Sequence, residues 1–123
     1  GNVHAIAHQL GARYGIPHGQ ANALALPHVL KACLAEAETA LAELAVVTNV
    51  SDAASPAARA QAFVEAVQDL IAKVGIAETD PRIQPDDWTV LAHAAMDESD
   101  GYVSPRLLTK AEIMDTLEQI TAR

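Results

Sequence analysis

Four of the five histidines of this chain, His4, His8, His18 and His28, fall within its first 30 residues, in the string GNVHAIAHQLGARYGIPHGQANALALPHVL. His4 and His8 are spaced i, i+4, which on a helix points both imidazoles from one face. That is the geometry of a two-histidine clamp for a divalent ion. The peptidase form of the clamp, H-E-x-x-H, places a glutamate after the first histidine as general base. Here the string is HAIAH, with Ala5 in that place, so zinc-peptidase chemistry lacks its base. His18 follows Pro17 on a turn at the mouth of the next helical run. Imidazole donors from a helix and a nearby turn suit Zn2+ or Fe2+. The same spacing also serves surface and core histidines that bind nothing. His93, alone in VLAHAAM, reads as structural.

The elements that must hold these side chains are helical. Val3, Ile6 and Leu10 recur at three- and four-residue steps and form one apolar stripe of a helix from Val3 to Tyr14, closed by Gly15 and Pro17. A second run starts at HGQANALAL. Pro27 lies inside it and is expected to kink or restart the helix, the pattern then resuming from His28 to about Val47. Ser55 before Pro56 has the form of an N-cap with proline at the first helical position. That helix runs to about Val74 and stops at Gly75. Pro85 is expected to start a helix through Trp88, Leu91 and Ala95 to about Met96, followed by the loop DESDGYVSPRLLT. Thr109 with Glu112 has the form of a capping box before a last helix, Lys110 to Thr121. The reading is all-α, a single domain over 1–123 of five or six helices, with no strand.

Composition agrees and excludes several classes. The apolar half of the chain is mostly Ala, Leu and Val, strong helix formers among them, and its aromatics are Tyr14, Phe63, Trp88 and Tyr102 alone. A net charge of −8 argues against a nucleic-acid surface, which needs clustered Lys and Arg. No apolar run reaches the roughly 18 residues of a membrane span. Cys33 has no second cysteine to pair with. With no signal-like start, the expected location is cytoplasmic.

The stretch from His4 to Val29 resembles the signature of the iron-containing, group III alcohol dehydrogenases, H-x-x-A-H-x-L-G followed by P-H-G-x-x-N-A-x-x-L-P-x-V. The matching residues are His4, Ala7, His8, Leu10, Gly11, Pro17, His18, Gly19, Asn22, Ala23, Leu26, Pro27 and Val29. The segment SPR at Ser104–Arg106 looks like the family's N-P-R, with Ser104 in place of Asn. The resemblance implies that His4 and His18 bind the catalytic divalent metal, Fe2+ first and Zn2+ as the alternative. It places His8 near the nicotinamide and substrate, as a catalytic or cofactor-proximal residue; the other reading of His8 is support of the metal site by a hydrogen bond. His28, beyond Pro27, reads as structural.

The resemblance further implies a metal that activates an alcohol oxygen and an NAD or NADP that accepts hydride, interconverting alcohols with aldehydes or ketones. Two expected parts are not found: the dinucleotide-binding α/β domain, and a helix carrying an Asp and a His as the other two ligands. The expectation is therefore a C-terminal portion of a dehydrogenase, inactive alone and binding Fe2+ weakly. The ANALAL run is apolar nearly all round, so self-association as a homo-oligomer is expected. Two other readings stand beside this one. The first is a related enzyme of the superfamily, such as a maleylacetate reductase or a dehydroquinate-synthase-like lyase. The second is a non-enzymatic helical interaction module, which would bind no ion even with the missing segment supplied.

Overall fold

The computed structural model describes all 123 residues. Six α-helices follow in order: α1 Asn2–Tyr14, α2 His18–Ala32, α3 Leu34–Val47, α4 Pro56–Lys73, α5 Trp88–Ser99 and α6 Lys110–Ile120. A single 3-10 turn, Pro85–Asp87, leads into α5. The only extended pairing is an isolated bridge between Asp80 and Thr121. The chain is all-α, and no helix is long and apolar enough to cross a membrane.

The stripe on α1 is the centre of the main core. Ile6 and Leu10 are buried in one cluster with Leu24, Ala25 and Val29 of α2 and Leu91 and Ala95 of α5, the helices α1 packs on, and the cluster continues through α2 and α5 to Ile113, Leu117 and Ile120 of α6. Alanines at Ala5, Ala7, Ala21 and Ala92 let these helices approach closely. A second, smaller core joins α3 to α4 through Leu41, Ala42, Ala60 and Val64. Helix α2 touches both groups, packing on α1 and α6 and also on α4.

Helix ends follow local chemistry. Gly15 closes α1 with φ +67°, a left-handed conformation that costs a residue with a Cβ about 1–2 kcal/mol. Ser55 Oγ accepts from Ala58 N–H at 3.1 Å at the start of α4, and Gly75 follows its end. Thr109 and Glu112 form the capping box of α6 in full.

Three boundaries differ from the sequence reading. Helix α2 runs through Pro27 without interruption, and the break falls at Cys33. A proline inside a helix costs about 3 kcal/mol. Leu24 and Val29, buried on either side of it, each gain about 1.5–3 kcal/mol, enough to keep the helix from restarting there. Pro85 begins a 3-10 turn, and α5 itself starts at Trp88. Helix α5 also continues past Met96 to Ser99, because Ser99 is buried and its Oγ donates to the Met96 carbonyl at 3.1 Å. That extension brings Glu98 onto the helix.

Candidate functional site

His4 and His8 lie on the outer face of α1, opposite Ile6 and Leu10, and His18 is the first residue of α2. The three rings meet. Their centroids are 5.3 Å apart for His4 and His18, 5.6 Å for His4 and His8, and 5.6 Å for His8 and His18. His8 and His18 are nearly parallel, at 25°, while His4 stands edge-on to His8 at 72°. All three are exposed.

Two of these rings are fixed by a neighbour. His8 Nδ1 lies 2.9 Å from Glu98 Oε2. His18 Nε2 lies 3.0 Å from the amide nitrogen of Asn22, one turn further along α2. Asn22 Oδ1 is buried without a partner.

The platform beneath is anchored from the loop after α5. Asn2 Nδ2, two residues before His4, donates to the Arg106 carbonyl at 2.7 Å, and Asn2 Oδ1 accepts from Leu108 N–H at 3.4 Å. The Arg106 guanidinium pairs with both carboxylate oxygens of Glu112, at 2.8 and 2.9 Å, with Glu36 at 2.9 Å and with the Ala32 carbonyl at 2.7 Å. This one side chain ties the loop to the α2–α3 junction and to α6. The same network raises the Arg106 pKa, chiefly through Glu112.

On the other side, Asp80 is buried and accepts from Arg82 at 2.6 and 2.9 Å, and from Gln20, two residues past His18, at 3.1 Å. An open groove of about 650 Å3 adjoins His4, walled by apolar residues including Val3, Leu26, Val29, Leu30 and Val103.

Two imidazoles suit Fe2+ or Zn2+ in kind. They do not suffice in number. No three His, Cys, Asp or Glu donors converge here to hold an ion within this chain. The residues therefore fit a divalent metal as part of a larger donor set. His28 faces a different cleft, beside Gln68, Glu78 and Gln119, where burial lowers its pKa and leaves Nδ1 unpartnered. His93 is exposed on α5.

Reading the sequence missed Glu98 as the partner of His8, and Gln9 and Tyr102 as partners of Glu98. Tyr102 lies beyond the end of α5 at Ser99, so no helical periodicity marks its pairing with Glu98. The i, i+4 pair His18 and Asn22 stood inside the signature, but nothing there assigned Asn22 a role.

The fold and the cluster define a class: an all-helical domain with imidazoles gathered from its first two helices. The chain belongs to the Fe-containing alcohol dehydrogenase family, matching its C-terminal part over residues 1–121. It is 33% identical to 1,3-propanediol dehydrogenase of Citrobacter freundii over 97% of this chain and 32% of that protein. It is 36% identical to lactaldehyde reductase of Escherichia coli (strain K12) over 94% of this chain and 31% of that protein. A crystal structure of 1,3-propanediol oxidoreductase superposes with a TM-score of 0.90 at 31% identity, covering 98% of this chain and 32% of that one. The alcohol dehydrogenase from Oenococcus oeni gives 0.87 at 32% identity, again over 98% of this chain and 32% of its own. The chain thus spans about a third of the length of these relatives.

Proposed function

We propose that this chain is the metal-binding helical part of an NAD- or NADP-linked alcohol dehydrogenase, interconverting small alcohols with aldehydes or ketones. One observation carries the reading: the three histidines at the signature positions, from two helices, pack their rings within 5.3–5.6 Å of one another. His4 and His18 would hold a divalent metal, Fe2+ first and Zn2+ as the alternative, with further donors from outside these 123 residues. When bound, the metal supplies Lewis-acid polarisation of the substrate oxygen, and the nicotinamide supplies hydride chemistry.

What the chain's own residues do is narrower. Asn2 and the Arg106 loop fix the register of α1, so His4 is presented at a set height. Asn22 sets the rotation of the His18 ring. His8, held by Glu98, stands beside both as the residue nearest the reacting groups. The apolar groove next to His4 suits the carbon skeleton of a small alcohol and excludes water from one side of it. The same uncovered face supports self-association of the chain; a monomer by light scattering at high concentration overturns that part.

The short donor set supports a chain that is inactive alone. The test is a chimera in which this chain replaces the matching third of Escherichia coli lactaldehyde reductase. The expected result is metal-dependent, NAD(P)H-linked reduction that His4→Ala or His18→Ala abolishes together with bound metal. Full activity and metal content in the His4→Ala chimera, or turnover by the isolated chain, sinks the reading.

A further inference from the structure

A second cleft lies along another flank of α2. It is walled by α2, α4 and α6, closed at one end by the loop after α4, and holds about 290 Å3. None of His4, His8 and His18 lines it. Its apolar wall is Leu24 and Pro27, both buried, with Ile71 of α4. Small-molecule sites run from about 300 to 1,000 Å3, so this cleft suits a ligand at the small end of that range.

The polar groups around it define the chemistry. His28 lines the cleft, and its Nδ1 is buried with no hydrogen-bond partner. Buried ring nitrogens normally have one. Burial first, and then the Lys31 charge, lowers the His28 pKa against the pull of Gln119 and Glu78. The ring is therefore neutral at neutral pH and offers one donor and one acceptor. Lys31 of α2 and Glu78 of the loop line the same cleft, and neither takes part in any ion pair of the chain. With 16 acids to 8 bases, a lysine without a carboxylate is not explained by a shortage of partners. Gln68 and Gln119 add amide groups from α4 and α6.

A ligand of one charge fits this set badly. A carboxylate drawn to Lys31 also meets Glu78, and an amine drawn to Glu78 also meets Lys31; in each case a like charge opposes the pairing. A molecule carrying both charges on one small centre satisfies the two together. We propose that this cleft binds a free α-amino acid with an apolar side chain, its carboxylate on Lys31, its ammonium on Glu78 and its side chain against Leu24, Pro27 and Ile71. The His28 ring completes the polar edge. This binding is independent of the metal and of the dehydrogenase reaction.

The probe is L-leucine, titrated into the 123-residue chain and followed by the His28 ring and Leu24 methyl resonances. Both are expected to shift and saturate, while the His93 ring stays in place. Isocaproate lacks the ammonium and isoamylamine lacks the carboxylate. Each is expected to bind at least about tenfold more weakly, the worth of one charge-assisted hydrogen bond. Lys31→Gln and Glu78→Gln are expected to weaken L-leucine by the same factor. Both side chains are exposed, so the fold should survive either change, and circular dichroism checks it. The two single-charge ligands decide the question on the unsubstituted chain if a variant does not fold. No saturable response near the solubility limit of L-leucine, equal binding of either single-charge ligand, or undiminished binding by either folded variant overturns the proposal. So does a response centred on His4 and Val103, which puts the ligand in the neighbouring groove that shares Ala23 and Ile71 with this cleft.

Discussion

Asn2 and Arg106, 104 positions apart, are joined by a hydrogen bond of 2.7 Å from the Asn2 amide to the Arg106 carbonyl. Asn2 is buried at the head of α1, and its other amide atom accepts from Leu108 N–H. Asn2→Ala strands both backbone groups. It is expected to cost about 1–3 kcal/mol, the penalty for a buried polar group left unpaired. Arg106→Lys is expected to lower the midpoint as well, because an ammonium cannot make the paired contact with Glu112 while also reaching Glu36 and Ala32. Urea unfolding of the two variants checks this; midpoints unchanged from the unsubstituted chain refute the anchoring role.

Asp80 makes the fold sensitive to acid. Hydrogen bonds from Arg82 hold its carboxyl below the ordinary value of 3.8, against the opposing effect of burial. The folded-state pKa is the lower of the two. The contribution of Asp80 to stability is therefore complete above about the ordinary value and is lost as pH falls through the folded one. Asp80→Asn is expected to lower stability at neutral pH by about 1–3 kcal/mol and to flatten the acid limb of the profile. Asp87 and Glu112 are also depressed, by Arg13 and Arg106 respectively, so part of the slope remains. Thermal midpoints followed from neutral pH down through the carboxylate range give the answer, and an Asp80→Asn profile parallel to that of the parent chain contradicts it.

The helices and their caps were legible because each has a local cause: the stripe of Ile6 and Leu10, the Ser55 cap before Pro56, the Thr109 capping box. The failures were decided at long range. Pro27 does not break α2, since the core on both sides of it outweighs the local cost. Helix α5 does not stop at Met96, since Ser99 is drawn into the interior. His4, His8 and His18, singled out from spacing and neighbours, are brought ring to ring by the fold. Glu98 was not, because its partner lies on another helix and no periodicity connects them. The anchoring of Asn2 by the Arg106 loop was hidden for the same reason.

Gly15 and Gly19 separate the demands of fold from those of the signature. Gly15 sits at φ +67°, so Gly15→Ala is expected to destabilise the chain by about 1–2 kcal/mol. Gly19 lies within α2, where an added Cβ meets nothing within 4 Å. Gly19→Ala is accordingly expected to stabilise the isolated chain by about 0.5–1 kcal/mol, the usual gain of alanine over glycine in a helix. Thermal unfolding of the pair checks both signs. Destabilisation by Gly19→Ala would mean that the glycine is needed by this chain's own packing.

His4 and His18 offer two neutral imidazoles where complete zinc sites take three or four protein ligands. Complete structural sites in finger peptides bind with about 10–16 kcal/mol. With no third donor converging, Zn2+ titrated into this chain is expected to bind far more weakly than that. The binding should still be specific. His4→Ala and His18→Ala are each expected to remove it, because one imidazole left alone is no chelate. His93→Ala is expected to leave it unchanged, since that residue stands exposed on α5. Calorimetry reports the affinity, and histidine ring resonances report which side chains respond. Shifts confined to His4 and His18, with His8 following through its ring contacts, agree with the assignment. Tight binding that survives His4→Ala shows that other donors hold the ion and that the two-histidine assignment is wrong.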